Sequence, residues 1–202
     1  MNFTDVRRTV AGFGDPLRRM AAAFRDDLRG VAAVEFAFIA PLMIVLFVGT
    51  IEVSSALAVN RKLSRVASTI GDLVTQEECY SDTTLTDIVE VADDIMYPFS
   101  NAMKIRLTGI LVESGAGKVK WSRGYNTTPA SSGSTYTVPA KIRINGNFLI
   151  AAKIETTFIP AVGWMSAPKA GQLAKDTSAI EMSEEMFLRP RIGNEITISS
   201  SC

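Results

Sequence analysis

A long apolar run near the N-terminus constrains this 202-residue chain more than any other feature of its sequence. The run lies between Arg29 and Ala58, and the 16 residues that separate Glu35 from Glu52 carry no charge. Together with the small and apolar residues on either side, it exceeds the roughly 20 residues that a helix needs to cross a bilayer. The sequence therefore predicts one membrane-spanning helix.

The charges on either side of this run predict its orientation in the membrane. Residues 1–30 contain six arginines and four aspartates. By the positive-inside rule, the N-terminus then lies in the cytoplasm and the chain after about residue 59 lies across the membrane. From Val59 onward the chain has 15 basic and 15 acidic residues without a basic stripe, which argues against nucleic acid as a partner.

Glu35 is the unusual residue of the apolar run. A carboxylate near the centre of a membrane helix costs roughly 2.5–3.5 kcal/mol, so it predicts a functional role with a partner. We expect that partner to be an N-terminal amine on a neighbouring subunit, made by a cut after Gly30 that leaves Val31 as the first residue. At about 4 Å the carboxylate and the amine attract each other by about 4 kcal/mol at an effective dielectric of 20, which offsets the cost of burying the carboxylate. Alternatively, Glu35 lies among the lipid headgroups of an uncleaved anchor.

The helical pattern continues beyond the apolar run. Apolar residues recur at spacings of three and four as far as about Gln76, which predicts an amphipathic extension of the same helix over residues 60–76. Residues 77–82 are predicted to form a turn. A second helix follows to about Met96, with Asp82 or Thr84 as its cap.

From Lys104 onward the apolar residues recur at every second position, which indicates strands. Four segments alternate and are rich in β-branched or aromatic residues, and they predict a small antiparallel sheet: residues 104–113, 118–125, 141–159 and 195–200. Residues 126–139 are predicted to be a mobile loop, and residues 161–185 a loop with a short helix. The fold class predicted is α+β.

The reactive side chains point to structure rather than catalysis. Histidine is absent, which removes the commonest general base and metal ligand. We find no catalytic constellation, and we expect no enzyme activity, no cofactor and no metal site. The two cysteines, Cys79 and Cys202, both fall on the predicted outer side, where an oxidising compartment favours a disulfide between them. Two free thiols are the alternative.

The run RGVAAVEFAFIAPLMIVLFVGTIEVSSALAVNRKL resembles the N-terminal signature of TadE-like proteins, the minor pilins (pseudopilins) of the tight-adherence Flp pilus machinery. The matching parts are Gly30, the segment 34–36, Pro41 and the segment 49–52. The resemblance implies cleavage between Gly30 and Val31 by an inner-membrane prepilin peptidase. It also implies a part in assembling thin adhesive fibres with other pilins and the pilus assembly machinery, in a hetero-oligomer.

Within such a pilin, Glu35 and Phe36 are the expected assembly residues. Phe36 stands where the major pilin of the family often has tyrosine, so the ring is kept and the hydroxyl is lost.

These observations predict a single-pass protein of the bacterial inner membrane with a pilin-like architecture. Residues 1–30 form a cytoplasmic leader, 31–59 the transmembrane helix, 60–76 its extension and 77–202 a periplasmic α+β domain. The predicted function is a TadE-like minor pilin that takes part in pilus assembly, adhesion and secretion across the envelope. One alternative is a signal-anchored envelope protein whose outer domain binds a ligand or partner. Another, disfavoured because no catalytic constellation is found, is an exported enzyme released by a cut after Ala58.

Overall fold

The structure, a computed structural model, describes residues 29–99, 103–160 and 179–202. The chain divides into two units, residues 1–50 and 51–202. Most of the predicted leader, and most of the segment predicted as a loop with a short helix, lie outside the described residues.

The first helix, α1, runs over Arg29–Val74 without a break at Pro41. Within the described residues it is the one helix that is long and apolar enough to cross a membrane. It ends two residues before the predicted boundary at Gln76. The predicted fold class, a long apolar N-terminal helix followed by an α+β domain, is confirmed.

The C-terminal part of α1 is a core element of the domain. Six of its side chains are at most 2% exposed and recur at helical spacing: Val59, Leu63, Val66, Ala67, Ile70 and Val74. A second helix, α2, covers Asp82–Met96 and contributes Leu85, Ala92 and Met96 to the same core. Burial of such apolar stripes supplies most of the stability of a short helix in water.

The cap of α2 differs from the predicted Asp82 or Thr84. Ser81 is the cap: it has an extended backbone, and its hydroxyl accepts a hydrogen bond from the backbone N–H of Thr84. Asp82 is already in the first helical turn, where its carboxylate still interacts favourably with the helix dipole.

Within the described residues, seven strands form two sheets. A five-stranded sheet has the order β4-β3-β2-β5-β6, and all of its neighbours are antiparallel. A two-stranded parallel sheet joins β1 to β7. The bounds are β1 Cys79–Tyr80, β2 Lys104–Glu113, β3 Ala116–Tyr125, β4 Thr135–Tyr136, β5 Phe148–Phe158, β6 Ile180–Leu188 and β7 Thr197–Ile198.

Several predictions for the sheets need correction. Strand β1 lies in the segment predicted as a turn, residues 77–82, and β4 lies in the predicted loop over residues 126–139. The segment predicted as a loop with a short helix, residues 161–185, includes the first part of β6, which pairs with β5 along its whole length. Its glutamates and methionines favour a helix locally, but the pairing with β5 outweighs that preference. The strand predicted over 141–159 begins only at Phe148, and that predicted over 195–200 shrinks to β7, whose pairing is parallel.

The five-stranded sheet is covered on both faces. Its inner face packs against α1 and α2 through side chains such as Ile105, Leu107, Ile150 and Ile154. A smaller core on the outer face contains Ile110, Val112, Val138, Leu149 and Ala151. The helices therefore lie on one face only, as in other α+β domains.

An ion pair attaches the start of α2 to the sheet. The Nε of Arg123, on β3, lies 2.5 Å from Oδ1 of Asp82. The hydrogen bond from this guanidinium holds the pKa of the Asp82 carboxyl below its ordinary value.

We expect Asp82→Asn to lower the free energy of unfolding at pH 7 by an amount that shrinks in acid. Because the folded-state pKa of Asp82 is depressed, its stabilisation is present above the unfolded pKa of about 3.9 and is lost as the pH falls through the folded value. Urea unfolding of the full chain in detergent, from pH 7 to pH 3, measures this. Asp87→Asn, which removes an exposed acid of α2, is the control, and a pH-independent difference for Asp82→Asn would contradict the prediction.

Gly109 leaves space on the sheet for the Trp121 indole. A Cβ at this position would overlap the Trp121 indole and lie 2.8 Å from Cζ of Phe148. The indole cannot simply move away, because its Nε1–H donates to the Ile196 carbonyl at 2.6 Å.

Gly109→Ala should therefore destabilise the domain by about 1–3 kcal/mol, as overpacking does in a well-packed core. Gly49→Ala is the control, because a Cβ at that helical position meets nothing within 4 Å and alanine favours helix by about 1 kcal/mol. Denaturant unfolding compares the two variants. Equal stabilities would show that the Trp121 contact does not constrain the fold.

Candidate functional site

The N-terminal part of α1 presents an apolar surface on all sides. Almost every side chain from Val31 to Phe47 is exposed, and among the larger ones Phe36 and Phe38 are 71% and 79% exposed. A helix that is apolar all round is typical of a membrane span or of a helix buried among others. In water such a surface would promote association, so this segment is the principal candidate site.

The structure places the predicted cleavage site in the first described turn of α1. Gly30 is exposed, and a Cβ there would meet nothing within 4 Å. The bond between Gly30 and Val31 is thus sterically open, but it is helical. Unwinding of this turn, which any cut at the predicted site would require, is made easier by glycine because glycine favours helix less than alanine does by about 1 kcal/mol.

Glu35 and Phe36 lie one turn beyond the predicted cleavage site. Val31 and Glu35 are four residues apart on the same helix, so both lie on one side of α1, separated by a rise of about 6 Å. The Glu35 side chain is exposed. The arrangement leaves the carboxylate accessible to a group on another molecule.

Glu52, the second acid of the apolar run, lines an open cleft of about 240 Å³. It is half-buried there. The cleft lies between about two turns of α1 and the end of β5. Its other lining residues are Ile51, Ser55, Val59, Phe99, Thr156, Thr157, Phe158 and Ile159. Nothing in the sequence signalled that residues about 100 positions apart would meet here.

Lys62 holds the C-terminal end of α2 against α1. Its Nζ donates to the carbonyls of Ile95, at 2.9 Å, and Tyr97, at 2.7 Å. It also lies 5.9 Å from the centre of the Phe99 ring. The ammonium group donates to carbonyls that have no partner within α2, and its positive charge interacts favourably with the negative end of the α2 dipole. A basic residue in the last turn of the same helix usually makes these interactions.

The C-terminal segment, residues 191–202, is attached to the far end of α1. Cys79 and Cys202 form a disulfide with their Cα atoms 5.8 Å apart. Backbone hydrogen bonds run from Arg191 to Thr75 and from Ser199 to Tyr80, and the Arg191 guanidinium pairs with Asp72. Together these contacts close the domain around the end of α1.

Tyr80 lies between α1 and this C-terminal segment. Its hydroxyl donates to the Leu73 carbonyl at 2.7 Å, and its ring is buried in the main core. Burial, and secondarily the charge of Glu77, raises the pKa of Tyr80. The residue is therefore a neutral hydrogen-bond donor at physiological pH.

Two further polar features are a glycine turn of the sheet and the acidic side chains. Gly115 lies at the turn between β2 and β3 and has φ +75°, and residues 116–118 begin β3. No group of three or more Cys, Asp or Glu side chains within residues 29–99, 103–160 and 179–202 could hold a metal ion.

Comparison with known proteins identifies one family. Residues 30–71 match the family model described as TadE-like protein. Neither a search of curated proteins nor a search of solved structures found a match. The matched residues begin at Gly30 and end within the buried stripe of α1, so they include both Glu35 and Glu52. The resemblance seen in the sequence is confirmed.

Non-reducing peptide mapping should recover Cys79 and Cys202 in one linked pair of peptides. Because the bond closes a loop of more than 100 residues, Cys202→Ser should lower the free energy of unfolding by about 2–4 kcal/mol. Ser201→Ala, at the neighbouring exposed residue, should have little effect. Two thiols that can be alkylated without reduction would contradict the bridge.

Proposed function

We propose, on the premise that this chain is a TadE-like protein, that it acts as a minor pilin in the assembly of Flp-type pili. The family is a pilin-type structural family rather than an enzymatic one, and it relates the chain to the Tad pilus system. The proposed role is structural. Other pilins and the assembly machinery are its partners, and a prepilin peptidase acts on it.

The observation that carries this proposal is the exposed apolar surface of α1. Residues 31–47 expose large apolar side chains on all sides of the helix, and this segment belongs to the TadE-like match. Before assembly, the lipid tails of a bilayer surround these apolar side chains, and within a fibre the neighbouring helices pack against them. The arginine-rich residues before it favour a cytoplasmic N-terminus and a periplasmic domain.

In the proposed mechanism, a cut after Gly30 turns Val31 into a charged N-terminus. The amine and the Glu35 carboxylate would each be costly alone in the membrane. When Glu35 of one subunit approaches the amine of the next, the attraction offsets the cost of burying the carboxylate and favours one axial stagger. Packing of the apolar helix surfaces supplies most of the association energy, and the charge pair selects the register.

Sequencing the N-terminus of the mature protein tests the proposed processing. We expect it to begin at Val31. A start at Met1 would support the signal-anchored alternative and contradict the pilin mechanism. A start at Val59 would indicate an exported protein, although α1 continues unbroken there and Val59, 2% exposed, belongs to the core.

Substitution of Glu35 tests the assembly step separately. Glu35→Ala and Glu35→Gln should insert into the membrane normally but fail to enter fibres, because the amine of the neighbouring subunit loses its counter-charge. Phe36→Tyr is the control, since it keeps the ring and every charge, and it should assemble. Membrane fractionation and immunoblotting of sheared fibres measure the two steps. Normal piliation with Glu35→Gln would remove the charge pair from the mechanism.

A further inference from the structure

One end of the folded domain carries exposed apolar side chains beside α1. In the described part of residues 60–202, six large apolar side chains are exposed, and three of them lie at this end: Tyr97, Ile159 and Ile180. We call these three residues the collar. Tyr97 is 74% exposed, Ile159 49% and Ile180 48%.

The register of the sheet and the cleft beside Glu52 bring the collar together. Ile180 pairs with Phe158, the neighbour of Ile159. Phe158 and Ile159 line the cleft together with Phe99, which is two residues from Tyr97. The backbone of Tyr97 is held against α1 by Lys62. Its position therefore follows from packing of the domain rather than from a free loop.

The collar lies beside the part of α1 where apolar residues give way to polar ones. The opposite wall of the cleft is Ile51, Ser55 and Val59. On the outside of the same helix Val53 and Leu57 are exposed and apolar, and Asn60 and Arg61 then follow as exposed polar residues. On a spanning helix this change marks the level of the lipid headgroups.

We propose that the collar inserts into the outer leaflet of the inner membrane at the headgroup level. The domain then contacts the bilayer directly, in addition to its attachment through α1. The inference depends on the proposed membrane anchor. Lipid is the favoured binding partner of the collar because the collar is continuous with the apolar surface of Val53 and Leu57. The amphipathic ring of Tyr97 suits the headgroup level, and the positive charge of Arg61 suits lipid phosphates. Insertion of the collar fixes the tilt of the domain before it enters a fibre.

Spin labels on the full chain in vesicles test this proposal. Tyr97→Cys, Ile159→Cys and Ile180→Cys are labelled one at a time, with the native disulfide intact, in vesicles of phosphatidylethanolamine and phosphatidylglycerol. Ile144→Cys is the matched control: Ile144 is 54% exposed, and its loop bonds to Val112 at the opposite end of β2. Leu42→Cys reports the anchor itself. The measured quantity is the accessibility to oxygen, which concentrates in lipid, divided by that to a water-soluble nickel chelate.

We expect this ratio to be several-fold higher at the collar than at Ile144, and highest at Leu42. A collar ratio equal to that of Ile144, with a lipid value at Leu42, would overturn the inference and leave the anchor intact. An aqueous value at Leu42 would overturn the anchor and the inference with it. Collar labels shielded from both reagents would indicate a protein partner and overturn the lipid assignment. Each of the three labels reports independently, and unfolding measurements confirm that each labelled variant is folded.

Discussion

The domain depends on the packing of one apolar stripe of α1 against the inner face of the sheet. The stripe begins at Val59 and ends at Val74, and every one of its six side chains is at most 2% exposed. The same helix exposes apolar side chains on all sides before residue 48. A single continuous helix therefore supplies both a candidate membrane segment and the centre of the core. A cut after Ala58 would therefore separate the candidate membrane segment from the domain at the first residue of the buried stripe.

The remaining polar contacts attach the other elements to this helix. Lys62 donates to the end of α2, Tyr80 donates to Leu73, and Arg191 pairs with Asp72. The disulfide and the Trp121–Ile196 hydrogen bond then hold the C-terminal segment at the end of α1 near Val74. At the other end of the buried stripe, the cleft beside Glu52 and the collar are open. The domain thus has a closed end and an open apolar end, and the open end lies beside the first residues of the buried stripe.

The local patterns predicted the elements well where one face is apolar and the period is clear. The extension of α1, the apolar face of α2 and strands β2 and β3 followed from spacing alone. β6 was missed because its alternation of methionine and glutamate is ambiguous between strand and helix, and only its pairing with β5 decides the matter. The cap of α2 was misplaced by one residue at Asp82, or by three at Thr84, because Ser81, Asp82 and Thr84 are all good capping residues.

Length, charge and residue spacing were enough to predict the apolar helix, its charged flanks, the position of Glu35 and the TadE-like resemblance, because these are properties of the unfolded chain as well as of the folded one. Which residues meet across long separations follows only from the way the elements pack. Packing of the elements brings Phe99, Phe158 and Glu52 together around one cleft and places Lys62 at the end of α2, where it donates to the free carbonyls. It also leaves Tyr97, Ile159 and Ile180 exposed at one end of the domain. Such contacts depend on strand order and helix packing, and no local period of the sequence encodes them.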